Sequence, residues 1–182
     1  MTDELQPWTR LSRRQAYVNP WIEVVEDQVL LPDGRQTLYG VVRCSGCVGM
    51  LPFVDDDTVL LVQQWRYLVE RTTWEMPTGG VHAGESLADA AQRELAEEVG
   101  HQAGRLEPLT SFSTSKSVVE ETAHLFAAYD LVPAEATPDS TEFLRCEAFP
   151  FATLLDMVWS GEIIDSMTIA AALWVDRQRR VG

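Results

Sequence analysis

At 182 residues, 46% of them hydrophobic, the chain is long enough to bury one core of good size. Its formal charge is −14, with thirteen arginines and one lysine, Lys116. That balance excludes the basic footprint nucleic acid or an anionic membrane requires, but leaves open a phosphate-bearing small molecule, whose charge metal ions can offset.

The first fifteen residues are polar, with Pro7 and an arginine cluster, and are expected to be loose. They lack the apolar stretch of a signal peptide, no window approaches a membrane span, and three cysteines make no disulfide framework; the cytoplasm is the expected compartment. Residues 17–31 alternate around Trp21, Val24, Val29 and Leu31. Pro32-Asp33-Gly34-Arg35 then turns the chain and residues 37–42 return, which predicts an antiparallel hairpin. Residues 1–45 are accordingly read as an N-terminal strand region and 46–182 as the main domain.

Cys44-Ser45-Gly46-Cys47 is a C-x-x-C. With only Cys146 left over, a zinc site would need a histidine from elsewhere. Strand-like flanks also oppose a redox motif, which should open a helix, so a plain turn with two thiols is expected. Residues 47–54 and 58–65 read as a strand pair about the acidic turn Asp55-Asp56-Asp57.

From Leu87 to Val99 the residues favour helix, with no Pro or Gly. Ser86 and Asp89 suit its N-terminal cap, and Gly100 suits the left-handed position past its end. At about 100° per residue, Leu87, Ala90, Ala91, Leu95 and Val99 make an apolar stripe. Glu94 and Glu98 fall inside that stripe and Glu97 lies at its margin. An ordinary amphipathic helix would place leucine there, and carboxylates four apart on a partly buried face repel unless a cation joins them. Oxygen-only donors suit Mg²⁺ or Mn²⁺ better than zinc.

Strands follow near 106–113, 122–131 and 143–149, then helices over 151–159 and 165–179, the last with a stripe of Met167, Ala170, Ala171, Trp174 and Val175. No regular βαβ repeat appears. The pattern predicts α+β, a mixed sheet with helices on both faces.

The stretch from Gly79 to His101 resembles the Nudix box, G-x5-E-x7-R-E-U-x-E-E-x-G-U, where U is a bulky aliphatic residue. Gly79, Glu85, Arg93, Glu94, Leu95, Glu97, Glu98 and Gly100 match it; His101 departs at the last position. The resemblance implies an α/β/α sandwich and hydrolysis of a nucleoside diphosphate linked to another group. Glu94, Glu97 and Glu98 would be the metal ligands, with Arg93 and Glu85 orienting them.

Beyond the box, Gln64-Trp65-Arg66-Tyr67, then Trp74-Glu75-Met76-Pro77-Thr78-Gly79-Gly80, and later Ser160-Gly161-Glu162-Ile163-Ile164-Asp165 are similar to the ADP-ribose pyrophosphatase branch. That implies cleavage of ADP-ribose to AMP and ribose 5-phosphate, and a homodimer whose residues 1–45 contact the partner. The alternatives are another nucleotide-sugar hydrolase, acting for example on GDP-mannose, and a non-catalytic ADP-ribose sensor; the complete set of box acids favours an enzyme. Arg66 is expected to grip diphosphate or ribose, its guanidinium fork matching phosphate oxygens. Glu75 is expected to orient Arg66 or touch a ribose hydroxyl, and Gly79 and Gly80 to lie against substrate. The branch implies a general base on a loop outside the box: Glu142 matches best, with Glu120 and Glu121 as competitors. Where the branch usually carries Ser-Pro-Gly, this chain has Ser115-Lys116-Ser117, which puts Lys116 within the range of candidate phosphate contacts.

Overall fold

A computed structural model describes residues 6–135 and 143–181. The chain forms two compact units, 1–45 with 113–122 and 46–112 with 123–182.

The first unit is a four-stranded sheet in the order β1 (Thr9–Val18), β2 (Glu23–Leu30), β3 (Gln36–Arg43), β9 (Val119–Glu120). β1–β2 and β2–β3 are antiparallel, whereas β3–β9 is parallel. The turn after β2 closes with Gly34 at φ 85°, where a side chain would be strained. Residues 9–15, expected to be loose, are instead strand. Every residue of β1 is exposed, so the strand shows no apolar alternation by which to read it. It is held by register pairs such as Arg13 with Asp27. The Arg13 fork holds the Asp27 carboxylate at 2.7 and 2.8 Å and keeps its pKa below the usual carboxylate range.

In the second unit, β4 (Cys47–Pro52), β7 (Thr78–Gly80), β8 (His101–Ser113) and β10 (Thr122–Pro133) form a mixed sheet in the order β7-β4-β10-β8. β4 is parallel to β10 and antiparallel to β7. β5 (Thr58–Arg66), β6 (Arg71–Glu75) and β11 (Arg145–Pro150) form an antiparallel sheet in the order β11-β5-β6. The sequence reading of 47–54 and 58–65 as one pair is corrected here: apart from an isolated bridge between Phe53 and Val59, β4 and β5 take partners in different sheets.

Strand alternation divides the apolar side chains into two cores. Val48 and Met50 of β4, Leu60 and Val62 of β5, and Phe126 and Ala128 of β10 pack with Ala90, Ala91, Leu95 and Val99 of α1 (Leu87–Val99). Leu51, Val59, Leu61, Leu125 and Ala127 pack instead with α2 (Phe151–Ser160) and α3 (Ser166–Val181), through Leu154, Met157, Met167, Ala171 and Val175. Strands buried on both faces between helices make this unit an α/β/α sandwich, and the whole chain is α+β.

Candidate functional site

α1 starts and stops as its residues dictate. Ser86 Oγ accepts from the Asp89 amide at 3.1 Å, and Gly100 takes φ 66° and donates back to Ala96 at 3.1 Å. Gln92 grips the Ala103 backbone twice, at 2.7 and 2.9 Å, and so ties the helix to β8. These contacts fix the helix rotation, and with it the acids. Glu94 and Glu98 are each 7% exposed, and Ala96 is buried too. Glu97 is half-buried.

Arg93 organises the cluster. Its Nε and Nη2 donate to the two oxygens of Glu85 at 3.0 Å each, its Nη1 to Glu94 at 2.6 Å and Glu97 at 3.2 Å, and its Nη2 also to the Gly80 carbonyl at 2.8 Å. Glu85 additionally accepts from the His82 amide. Held first by Arg93 and then by that amide, its pKa falls to about 2. Glu98 accepts from the Thr78 amide at 3.3 Å. The helix is therefore bonded to β7 by its acidic side.

Gly79 shows how closely the two approach. A Cβ there would lie 1.9 Å from the Glu94 carboxyl carbon and from Oε1. Only a bare α-carbon admits the carboxylate. Among the described residues no three acidic, histidine or cysteine side chains are already gathered into a cation cage; Arg93 stands among the acids instead. The donor set is nonetheless all carboxylate and mostly buried, which fits a hard divalent ion.

A second cluster surrounds Arg66. Its Nε donates to Glu75 at 2.8 Å. Glu75 is 4% exposed and burial raises its pKa, an effect the Arg66 bond opposes. Met76 donates its amide to the Thr168 hydroxyl at 3.0 Å, and that hydroxyl donates to Asp165 at 2.6 Å. Thr73 and Thr168 belong to no motif read from the sequence, whereas Asp165 closes the Ser160-Gly161-Glu162-Ile163-Ile164-Asp165 stretch. For Thr73 the available signal is the two-residue period that joins it to Glu75 on one strand face.

The candidates outside the box fare differently. Glu142 lies outside the described residues. Glu120 Oε2 accepts from Arg43 Nε at 2.7 Å; Glu121 lines a cavity of about 440 Å³ in the first unit, as do Lys116 and Asp27. Ser115 Oγ receives the Ser117 and Val118 amides, which shapes the loop that presents Lys116. None of the three cysteines is in a disulfide, and no described helix is long and apolar enough to cross a membrane.

Residues 46–167 match the NUDIX domain model, and residues 8–42 the nucleoside diphosphate sugar hydrolase N-terminal domain. The chain is 31% identical over 163 residues to an ADP-ribose pyrophosphatase of Bacillus subtilis (strain 168), covering 88% of each. It is 29% identical over 170 residues to the methanol dehydrogenase activator of Bacillus methanolicus, covering 92% of each. The solved structure of an ADP compounds hydrolase matches with a TM-score of 0.89 at 25% identity, over 98% of this chain and 97% of that one.

Proposed function

The chain belongs to the Nudix family and is a Nudix-type pyrophosphatase, and from that premise we propose that it hydrolyses ADP-ribose to AMP and ribose 5-phosphate. The observation that carries this reading is the buried acidic side of α1, pressed on the bare α-carbon of Gly79 and spanned by Arg93. Glu94, Glu97 and Glu98 would hold Mg²⁺ or Mn²⁺. When bound, such ions neutralise the diphosphate and lower the pKa of water. Arg93 and Glu85 keep the carboxylates aimed, and Gly79 and Gly80 let the substrate approach the backbone. Arg66 grips the diphosphate, and Glu75 orients Arg66. Glu142 takes the proton from the attacking water, with Glu120 and Glu121 as the competing bases; the Arg43 ion pair weighs against Glu120.

Relatives named as ADP-ribose pyrophosphatase and ADP compounds hydrolase support the substrate class. The sugar-hydrolase model over residues 8–42 keeps other nucleotide sugars, GDP-mannose among them, as the second reading. A non-catalytic sensor is a weaker one, since no box acid is missing. The enzyme works in the cytoplasm, as a homodimer that residues 1–45 help to form, and binds neither nucleic acid nor membrane; the charge of −14 supports the last point.

Incubation with ADP-ribose and Mg²⁺ should release AMP, and a panel of sugar nucleotides should rank ADP-ribose first by kcat/KM. Glu97→Gln and Glu98→Gln should fold normally and lose turnover by about a hundredfold or more, since each removes a ligand charge. Near-full turnover in either variant would discard the metal-site assignment.

A further inference from the structure

One face of the β5–β6 hairpin is polar where a structural sheet would be apolar. The register sets Gln64 opposite Thr73 and Arg66 opposite Arg71, with Glu75 two residues along from Thr73. Thr73 and Glu75 are each 4% exposed, and the buried Thr73 hydroxyl has no hydrogen-bond partner among the described residues. Asp165 Oδ2 accepts from the Thr168 amide and hydroxyl, which leaves Oδ1 for another donor. Arg66, Thr73, Glu75 and Asp165 border a cavity of about 420 Å³ whose remaining wall is apolar, with Val69 and Ile164 among its residues.

Native proteins leave few buried hydroxyls unpaired, and one that borders a cavity calls for a partner within it. Two carboxylates there repel a phosphate but accept from hydroxyl groups. The guanidinium of Arg66 retains four N–H donors after Nε is used, enough to hold an anion at the cavity's edge. An apolar wall beside hydroxyl acceptors fits the two faces of a sugar ring.

We propose that this cavity seats a ribose of the substrate, with Thr73 and Asp165 reading its hydroxyls while Arg66 holds the adjoining phosphate. The presence of ribose rests on the reading of the substrate as ADP-ribose. Thr73 is thereby a specificity-determining residue. Whether the ribose is that of the AMP half or of the distal half is a matter of which way the substrate lies.

Calorimetric titration of the full chain with Mg²⁺ separates these. The ligands are AMP, ribose 5-phosphate, and the counterparts of each lacking the 2- or the 3-hydroxyl. The wild type should bind one of the two parent ligands about tenfold more tightly than a deoxy counterpart, the value of one hydrogen bond in a buried site. Thr73→Val should lose that tenfold for the parent ligand and nothing for the deoxy form, and Thr73→Ser, which keeps the hydroxyl, should restore it. Equal Kd values for wild type and Thr73→Val, equal losses on parent and deoxy ligands, or no binding of either parent would each overturn the assignment. A parallel hydrolysis assay keeps the two ideas apart. If ADP-ribose is not cleaved, the substrate reading falls, while the titrations still decide whether the cavity reads ribose hydroxyls.

Discussion

Gly79 sets the tightest constraint at the scale of single residues. A methyl group there would lie 1.9 Å from the Glu94 carboxyl carbon, inside any possible contact. Gly79→Ala must therefore push Glu94 off its seat or β7 off the helix. Turnover should fall by about a hundredfold, with a melting temperature lower by no more than several degrees, since the two cores do not include Gly79. Native kcat in this variant would show that Glu94 is free to move without consequence. Glu85 offers a pH test. Its pKa is depressed to about 2 by Arg93 and the His82 amide. A depressed carboxyl stabilises the fold above its unfolded pKa, near 4.5, and that contribution is lost as pH falls toward 2. Acid unfolding curves should thus steepen between those values in the wild type and flatten there in Glu85→Gln. An unchanged acid limb in the variant would mean that the Glu85–Arg93 contact is not maintained in solution. Thr73 and Asp165, by contrast, carry little local signal: a two-residue period from Glu75 for the one, the end of the Ser160-to-Asp165 stretch for the other. Their meaning comes from a cavity formed by segments about ninety residues apart, as the Met76–Thr168 bond shows by its own separation of 92 residues.

At the scale of elements, legibility follows the range of the forces. α1 is readable to the residue because its cap, its apolar stripe and its terminating glycine all act within four positions. Ser86→Ala removes the Oγ that receives the Asp89 amide, and should cost about 1 kcal/mol, or a melting temperature lower by about 2–4 °C for a chain of this size. Circular dichroism melts check it, and an unshifted midpoint would show that Gln92 and the Glu98–Thr78 bond hold that helix without its cap. α2 and α3 were legible for the same reason. Strand partnership is another matter. β4 pairs with β10 and β7, which lie far along the chain, while its sequence neighbour β5 joins another sheet; an acidic turn between two apolar runs resembles a hairpin whichever partners they take. β6, β7 and β9 are short, at five, three and two residues, and give too few alternations to read. The acids of α1 beside Arg93 are legible because their spacing is that of one helix, whereas the bonding of Glu98 and Arg93 to β7 needs the tertiary structure.

Across the whole molecule the dominant physical fact is charge. A net charge of −14 makes the folded chain repel itself, and Glu94 and Glu98 are held close within a buried helix face. Two kinds of cation effect follow and they separate cleanly. Sodium chloride screens the general repulsion over a distance of about 10 Å at 0.1 M, and should raise the melting temperature gradually. Mg²⁺, held at the acids as proposed, would stabilise by RT ln(1 + [L]/Kd), about 2.7 kcal/mol at a hundred times Kd. At matched ionic strength Mg²⁺ should therefore raise the melting temperature by several degrees more than sodium chloride, and a chelator should return it to the salt-only value. The double substitution Glu97→Gln with Glu98→Gln should abolish the Mg²⁺ increment while leaving the sodium chloride response in place. It should also melt no lower than the wild type without Mg²⁺, because two of the clustered charges are gone. If Mg²⁺ and sodium chloride act alike on the wild type, or if the double variant keeps the Mg²⁺ increment, the acids of α1 are not where the ion binds.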